Sequence, residues 1–319
     1  MVRWKPGSRS TNIEDRRGDG PASGGGFGGL NLPINLGGGK GCLGLGGGTV
    51  GLIAVIAVML LSGGNIGDIL GSGGGGSSGF PIGPDITLPG LPSAQSDPIP
   101  SGPESNADAD LVDYVSFILD DVQSTWSDEF TRAGERYDDA KLVLFTGAVS
   151  SGCGTAQSAS GPFYCPLDSK VYLDLDFFRE LRDRFGAPGD FAQAYVVAHE
   201  LGHHVQNLLG INDKVQTRQQ RNPADANELS VRQELQADCF AGVWAHSTYE
   251  RKILEKGDLE EGLAAAASVG DDRIQEESTG RVDPESFTHG TSEQRGRWLK
   301  RGYDSGDIDR CDTFTAEEL

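Results

Sequence analysis

Beyond residue 109 the chain predicts an α+β domain, mostly helical with a small sheet. Three observations point there. Leu111, Tyr114, Val115, Ile118, Val122 and Trp126 recur at helical spacing. Residues 141–149 and Val171-Tyr172-Leu173 are short apolar runs of strand type. His199 and His203 stand four apart in a segment of helical composition, so they share one helix face.

The chain ahead of this domain has a different make-up. Of the 47 glycines of the full sequence, 28 crowd the first hundred residues. Residues 1–40 are polar and Gly-rich, and Arg3, Lys5, Arg9, Arg16, Arg17 and Lys40 outnumber Glu14, Asp15 and Asp19. With no period of either kind, they predict a disordered basic tail. Residues 43–62 are free of charge and end in a dense apolar run, which predicts one transmembrane helix. Basic residues precede it and Asp68 and Asp85 follow it, so the N-terminus is expected in the cytoplasm and the domain outside, on a cell membrane. Residues 63–108, rich in Gly, Ser and Pro, predict a flexible linker to a domain at 109–319. Gly46-x-Gly48-x-x-Gly51 imitates a dinucleotide fingerprint, but no strand precedes it.

Inside the domain, Asp176 is placed to cap a helix through Phe185, which Gly186 ends. Asp190 is placed to cap the next, running to Leu209 and stopped by Gly210. Residues 225–256 predict a long helix, Ala264–Ala267 lies in another, and Glu293–Arg301 in a last one.

The chemistry concentrates in His199-Glu200-Leu201-Gly202-His203. Two imidazoles one turn apart with a glutamate beside the first form the His-Glu-x-x-His arrangement of zinc peptidases. A catalytic zinc takes three protein ligands and keeps one open position. One Zn2+ is therefore expected on His199, His203 and a third ligand, for which Glu234 is the best candidate. Asp238, one turn further along the same helix, would accept the outer N–H of a ligand histidine. Glu200 is the expected general base. His204 points about 100° away from His203 and is expected to pack rather than ligate. His246 reads equally as a support to the site or as a plain helix residue. His289, before Gly290 and six residues ahead of Arg295, is a candidate for steadying the transition state, with Arg295 beside it.

Cys153, Cys165, Cys239 and Cys311 follow the expected span, in an oxidising compartment, and allow three pairings. Cys153–Cys165 would close a short Gly/Ser loop, leaving Cys239–Cys311. The net charge of −20 argues against a nucleic-acid partner.

On these residues the chain resembles the neutral zinc metallopeptidase family of the YpfJ type. The resemblance rests on residues 10–18, Tyr164-Cys165-Pro166, Val171-Tyr172-Leu173-Asp174, residues 199–206, 234–240 and 288–295, and Cys311-Asp312-Thr313-Phe314. It implies a membrane-anchored zincin-like endopeptidase acting on a peptide or protein substrate. A more distant similarity, to membrane zinc peptidases of the prenyl-endopeptidase type, implies Glu234 as third ligand and His289 as a transition-state contact. The chain departs from that group in having one expected span. The rival expectations are a non-enzymatic zinc-stabilised envelope scaffold and an amidase acting on cell-wall peptides.

Overall fold

The structure, a computed structural model, describes residues 1–5, 7, 9–18 and 106–319. The expected span at 43–62 and the linker up to residue 105 lie outside them. Among the described residues, no helix is long and apolar enough to cross a membrane.

A four-stranded sheet runs in the order β1 (Ile13–Asp15), β2 (Lys141–Phe145), β6 (Lys170–Asp174), β5 (Phe163–Cys165). The first three are parallel and β5 is antiparallel to β6. Leu142, Leu144, Val171 and Leu173 face the main core, while Val143, Phe145 and Tyr172 face a second cluster with Val149 and Cys165. Burial on both faces is why β2 reads as an unbroken apolar run. The hairpin of β3 (Ala148–Ser151) and β4 (Gly154–Gln157) supplies Val149 and Ala156 to that second cluster.

Among the described residues the α-helices are α1 (Asn106–Arg132), α2 (Asp176–Asp183), α3 (Asp190–Leu208), α4 (Ile211–Arg221), α5 (Ala226–Glu250), α6 (Asp258–Ser268), α7 (Asp271–Thr279) and α8 (Ser292–Ser305). Both expected disulfides are present, Cys153–Cys165 and Cys239–Cys311. The first ties the hairpin to β5, the second the C-terminal segment to α5.

Several expectations change. The strand expected at 141–149 is two strands, because Gly147 adopts a φ of +76° that turns the chain between them. Asp176 and Asp190 are first helical residues, and the cap positions fall on Leu175 and Gly189. The linker's last residues, Asn106 to Asp108, already belong to α1.

The largest change concerns the tail. Its described residues are built into the domain instead of disordered. β1 pairs with β2, with Leu142 N donating to Asn12 O (2.8 Å) and Arg16 N to Leu144 O (2.8 Å). Glu14 meets Lys170 at 2.8 Å. Val2 is buried, Arg3 N donates to Ile253 O (2.8 Å), and Trp4 sits edge-on to Tyr114. A three-residue strand whose last two members are charged shows no period, so its pairing was invisible to pattern.

Backbone contact fixes the helices around the site. A methyl group on Gly242 of α5 would overlap the Leu299 carbonyl oxygen of α8, and one on Gly302 the Cys239 carbonyl oxygen. Gly202 of α3 lies against α5, where an added Cβ would stand 3.0 Å from Ala237 O and 3.1 Å from its Cα. Gly242→Ala must push α8 off α5, so the expected cost is about 2–3 kcal/mol of stability, a fall in Tm of roughly 5–10 °C. Calorimetry of the full chain checks this, and an unchanged Tm would refute the close approach.

Candidate metal centre

The close approach of α3 and α5 brings His199, His203 and Glu234 together. One ligand atom from each lies within 4.8 Å of the other two. His199 Nε2 is 3.2 Å from Glu234 Oε2, and His203 Nε2 is 3.4 Å from Glu234 Oε1. Donors held around one tetrahedral zinc stand roughly 3.3 Å apart. Two imidazole nitrogens and a carboxylate at these separations fit zinc by spacing and by donor type.

The outer nitrogen of each histidine is committed. His199 Nδ1 meets Asp238 Oδ1 at 2.8 Å, and His203 Nδ1 meets Gln206 Oε1 at 2.9 Å. Both acceptors require the proton on Nδ1 and so leave Nε2 for a metal. Gln206 is itself held, its amide donating to Gln233 O (2.7 Å) and Gln236 Oε1 (3.1 Å). Gln236 in turn donates to Cys311 O (3.0 Å), at the disulfide.

Asp238 is fully buried and takes three more contacts besides the pairing with His199. Tyr195 Oη donates to Oδ1 at 2.6 Å. Arg295 grips both oxygens, Nε to Oδ2 at 2.9 Å and Nη2 to Oδ1 at 3.0 Å. Its Nη2 also reaches Tyr195 Oη at 3.1 Å. Arg295, expected to steady an oxyanion, is turned to Asp238, behind His199, where it is 4% exposed. A buried carboxylate requires a charged partner, and Arg295 is the one that Asp238 meets.

Electrostatics follow from this packing. Burial opposes charge on His199, yet Asp238 and Glu234 hold its pKa up to about 10. Burial works against the Glu234 charge too, but His203 and His199 keep its pKa well below the usual range. Such a cluster calls for a cation, and a metal competes with the proton for it. Glu200 is 8% exposed, and burial together with Glu234 raises its pKa, although His199 and His203 pull it down.

His204 packs as expected, with Nδ1 to Tyr164 Oη at 3.0 Å and Nε2 to Asp138 O at 2.6 Å. His246 bonds Tyr303 O at 2.7 Å and takes no part in the cluster. His289 Nδ1 meets Asp271 Oδ1 at 2.9 Å, and Asp271 Oδ2 accepts the backbone N–H of Thr288 (2.7 Å), His289 (2.6 Å) and Gly290 (3.1 Å). Sequence reasoning missed Asp271, Gln206 and Tyr195. Gln206 stands three residues after His203, and this spacing was a usable signal. Asp271 gave none, since its partners are 17 to 19 residues away.

A paired His-Glu-x-x-His helix with a glutamate on a second helix defines a zinc peptidase type of centre. The family described as "putative neutral zinc metallopeptidase" matches residues 2–314, and the chain belongs to it. It is 46% identical, over 98% of its length and 99% of the relative's, to the uncharacterized protein YpfJ of Escherichia coli K12. It is 50% identical over 194 residues, 57% of this chain and 65% of the relative, to the uncharacterized protein Rv2575 of Mycobacterium tuberculosis H37Rv. No solved structure matches.

Asp238→Asn keeps the shape but removes the charge that faces Arg295. Zinc affinity is expected to fall about 10–100-fold, and stability by about 3–5 kcal/mol because Arg295 is left buried and unpaired. Chelator competition and urea unfolding check the two effects separately.

Proposed function

We propose that the chain is a zinc-dependent endopeptidase with Glu200 as its general base. The observation that carries this reading is the convergence of His199 Nε2, His203 Nε2 and the Glu234 carboxylate within 4.8 Å, with Glu200 next to the first ligand and almost buried. Zinc, when bound there, supplies a Lewis acid that polarises a water molecule and the scissile carbonyl. Glu200 takes the proton from that water as its oxygen adds to the carbonyl carbon. The same carboxyl group then gives the proton to the leaving nitrogen as the C–N bond breaks. Its raised pKa suits both halves of that transfer, since it lies closer to neutrality than an exposed glutamate's. His289, held by Asp271, supplies an N–H to the developing oxyanion. Asp238, Arg295, Tyr195 and Gln206 keep the ligand rings in place.

The substrate on this reading is a peptide or protein segment. A zinc-stabilised scaffold would have no use for a carboxylate buried between two ligand histidines, since burying it costs stability. An amidase on cell-wall peptides would use the same atoms and differs only in what it cleaves.

Glu200→Gln in the full chain is expected to keep one zinc and lose about 10²–10⁴-fold in peptide hydrolysis. Metal analysis beside a peptide-library digest and a cell-wall peptide digest checks this. Retained turnover removes Glu200 from the mechanism. Cleavage confined to cell-wall peptides moves the reading to the amidase.

A further inference from the structure

The 288–292 loop owes its shape to two consecutive aspartates. Asp271 Oδ2 accepts three successive backbone N–H groups, from Thr288, His289 and Gly290. Asp271 N donates back to Gly290 O at 2.8 Å. Asp272 Oδ1 accepts Ser292 N and Ser292 Oγ, both at 2.8 Å, at the start of α8. The second oxygen of Asp271 meets His289 Nδ1 at 2.9 Å. The backbone and the ring of His289 are therefore fixed by one carboxylate. Loop geometry alone needs only Oδ2, so the contact from Oδ1 to the ring asks for another reason. With Nδ1 committed to Asp271, Nε2 is the nitrogen left for a ligand, and Glu234 and Arg295 lie near enough to bias the charge of the ring.

We propose that Asp271 is a positioning residue for the reaction, holding His289 by Nδ1 so that its Nε2–H is presented to the substrate over the metal centre. This rests on the peptidase reading above. The carboxylate compensates the imidazolium that donates from both nitrogens. Asp271→Asn retains an oxygen for the three amides but offers an N–H to Nδ1, which leaves His289 neutral and a weaker donor.

The test is a double-mutant cycle in the zinc-loaded full chain, with Asp271→Asn, His289→Gln and the pair. Each single variant is expected to lower kcat on one peptide about 10–100-fold with KM, zinc content and Tm nearly unchanged. The pair is expected to be no slower than His289→Gln alone. Additive losses, or losses that track Tm or zinc content, overturn the proposal. If the wild-type chain cleaves no peptide, only the peptidase reading fails. The ¹⁵N shifts of the His289 ring then decide, and an Nδ1 unaffected by Asp271→Asn overturns the coupling.

The N-terminal segment supports an independent inference. β1 lies in the same sheet as β2, Val2 is buried, and Ser10 Oγ and Glu14 bond Asp120 and Lys170. A single crossing between residues 18 and 106 would separate β1 from β2 by a bilayer, whether β1 came from the same chain or a second copy. We infer that residues 1–18 and the metal-binding domain lie on the same side of any membrane the chain meets. The inference differs from the expected arrangement of cytoplasmic N-terminus and external domain.

Gly7→Cys, at an exposed position with no neighbour within 4 Å, and Lys300→Cys, exposed on α8, report the two sides. Both are made singly in a full chain whose fifth cysteine, Cys42, is replaced by serine, and treated with a membrane-impermeant maleimide on intact cells. Equal reactivity, before or only after permeabilisation, is expected. Labelling at one site before permeabilisation and at the other only after it overturns the inference.

Discussion

The site depends on one buried carboxylate. Asp238 carries a charge with no exposure to water, a state that costs several kcal/mol unless it is paired and fully bonded. Arg295 supplies the charge, and Tyr195 and His199 supply further donors. These partners come from α3 and α8, while Asp238 itself is on α5. One residue therefore joins the three helices and sets the tautomer of His199. The glycines at the helix crossings serve the same end, since Gly202, Gly242 and Gly302 let backbones approach closely enough for short side chains to meet. Close packing and polar satisfaction here are a single constraint, because a shift of either helix would leave the Asp238 charge short of partners.

The supports of the two histidines differ in kind. His199 leans on a carboxylate, which raises the basicity of its Nε2, whereas His203 leans on a neutral amide. His289 again has a carboxylate. The charged supports sit behind one ligand candidate and behind the oxyanion donor candidate, and the neutral one leads through Gln206 and Gln236 to the C-terminal segment. The centre thus draws on α3, α5, α7, α8 and the chain end, although its three ligand candidates come from only two helices.

Much of this was legible in the sequence. The four-residue spacing of His199 and His203, and of Glu234 and Asp238, translates directly into shared helix faces. The helical period of α1 and the apolar runs of β2 and β6 are local signals of burial. Four cysteines leave few pairings, and the simplest is the one found. What was not legible depends on contacts between distant segments. β1 is too short and too charged for a period and gains its place only from β2. Asp271 reads as an ordinary acid in the first turn of a helix until the 288–290 amides are placed around it. The spacing of Arg295 from His289 is visible in the sequence, while its pairing with the buried Asp238 charge is not.

The disulfide Cys239–Cys311 bears on when the centre can exist. Cys239 follows Asp238 directly, and Cys311 offers the carbonyl that ends the chain of amides from His203. Arg295 and Cys311 come 57 and 72 residues after the α5 residues they join. An emerging chain therefore holds His199, His203 and Glu234 before it holds the counter-charge and the covalent tie that fix them. The ligand candidates are gathered first and locked later, and the locking shares an oxidation step with the segment around Cys311.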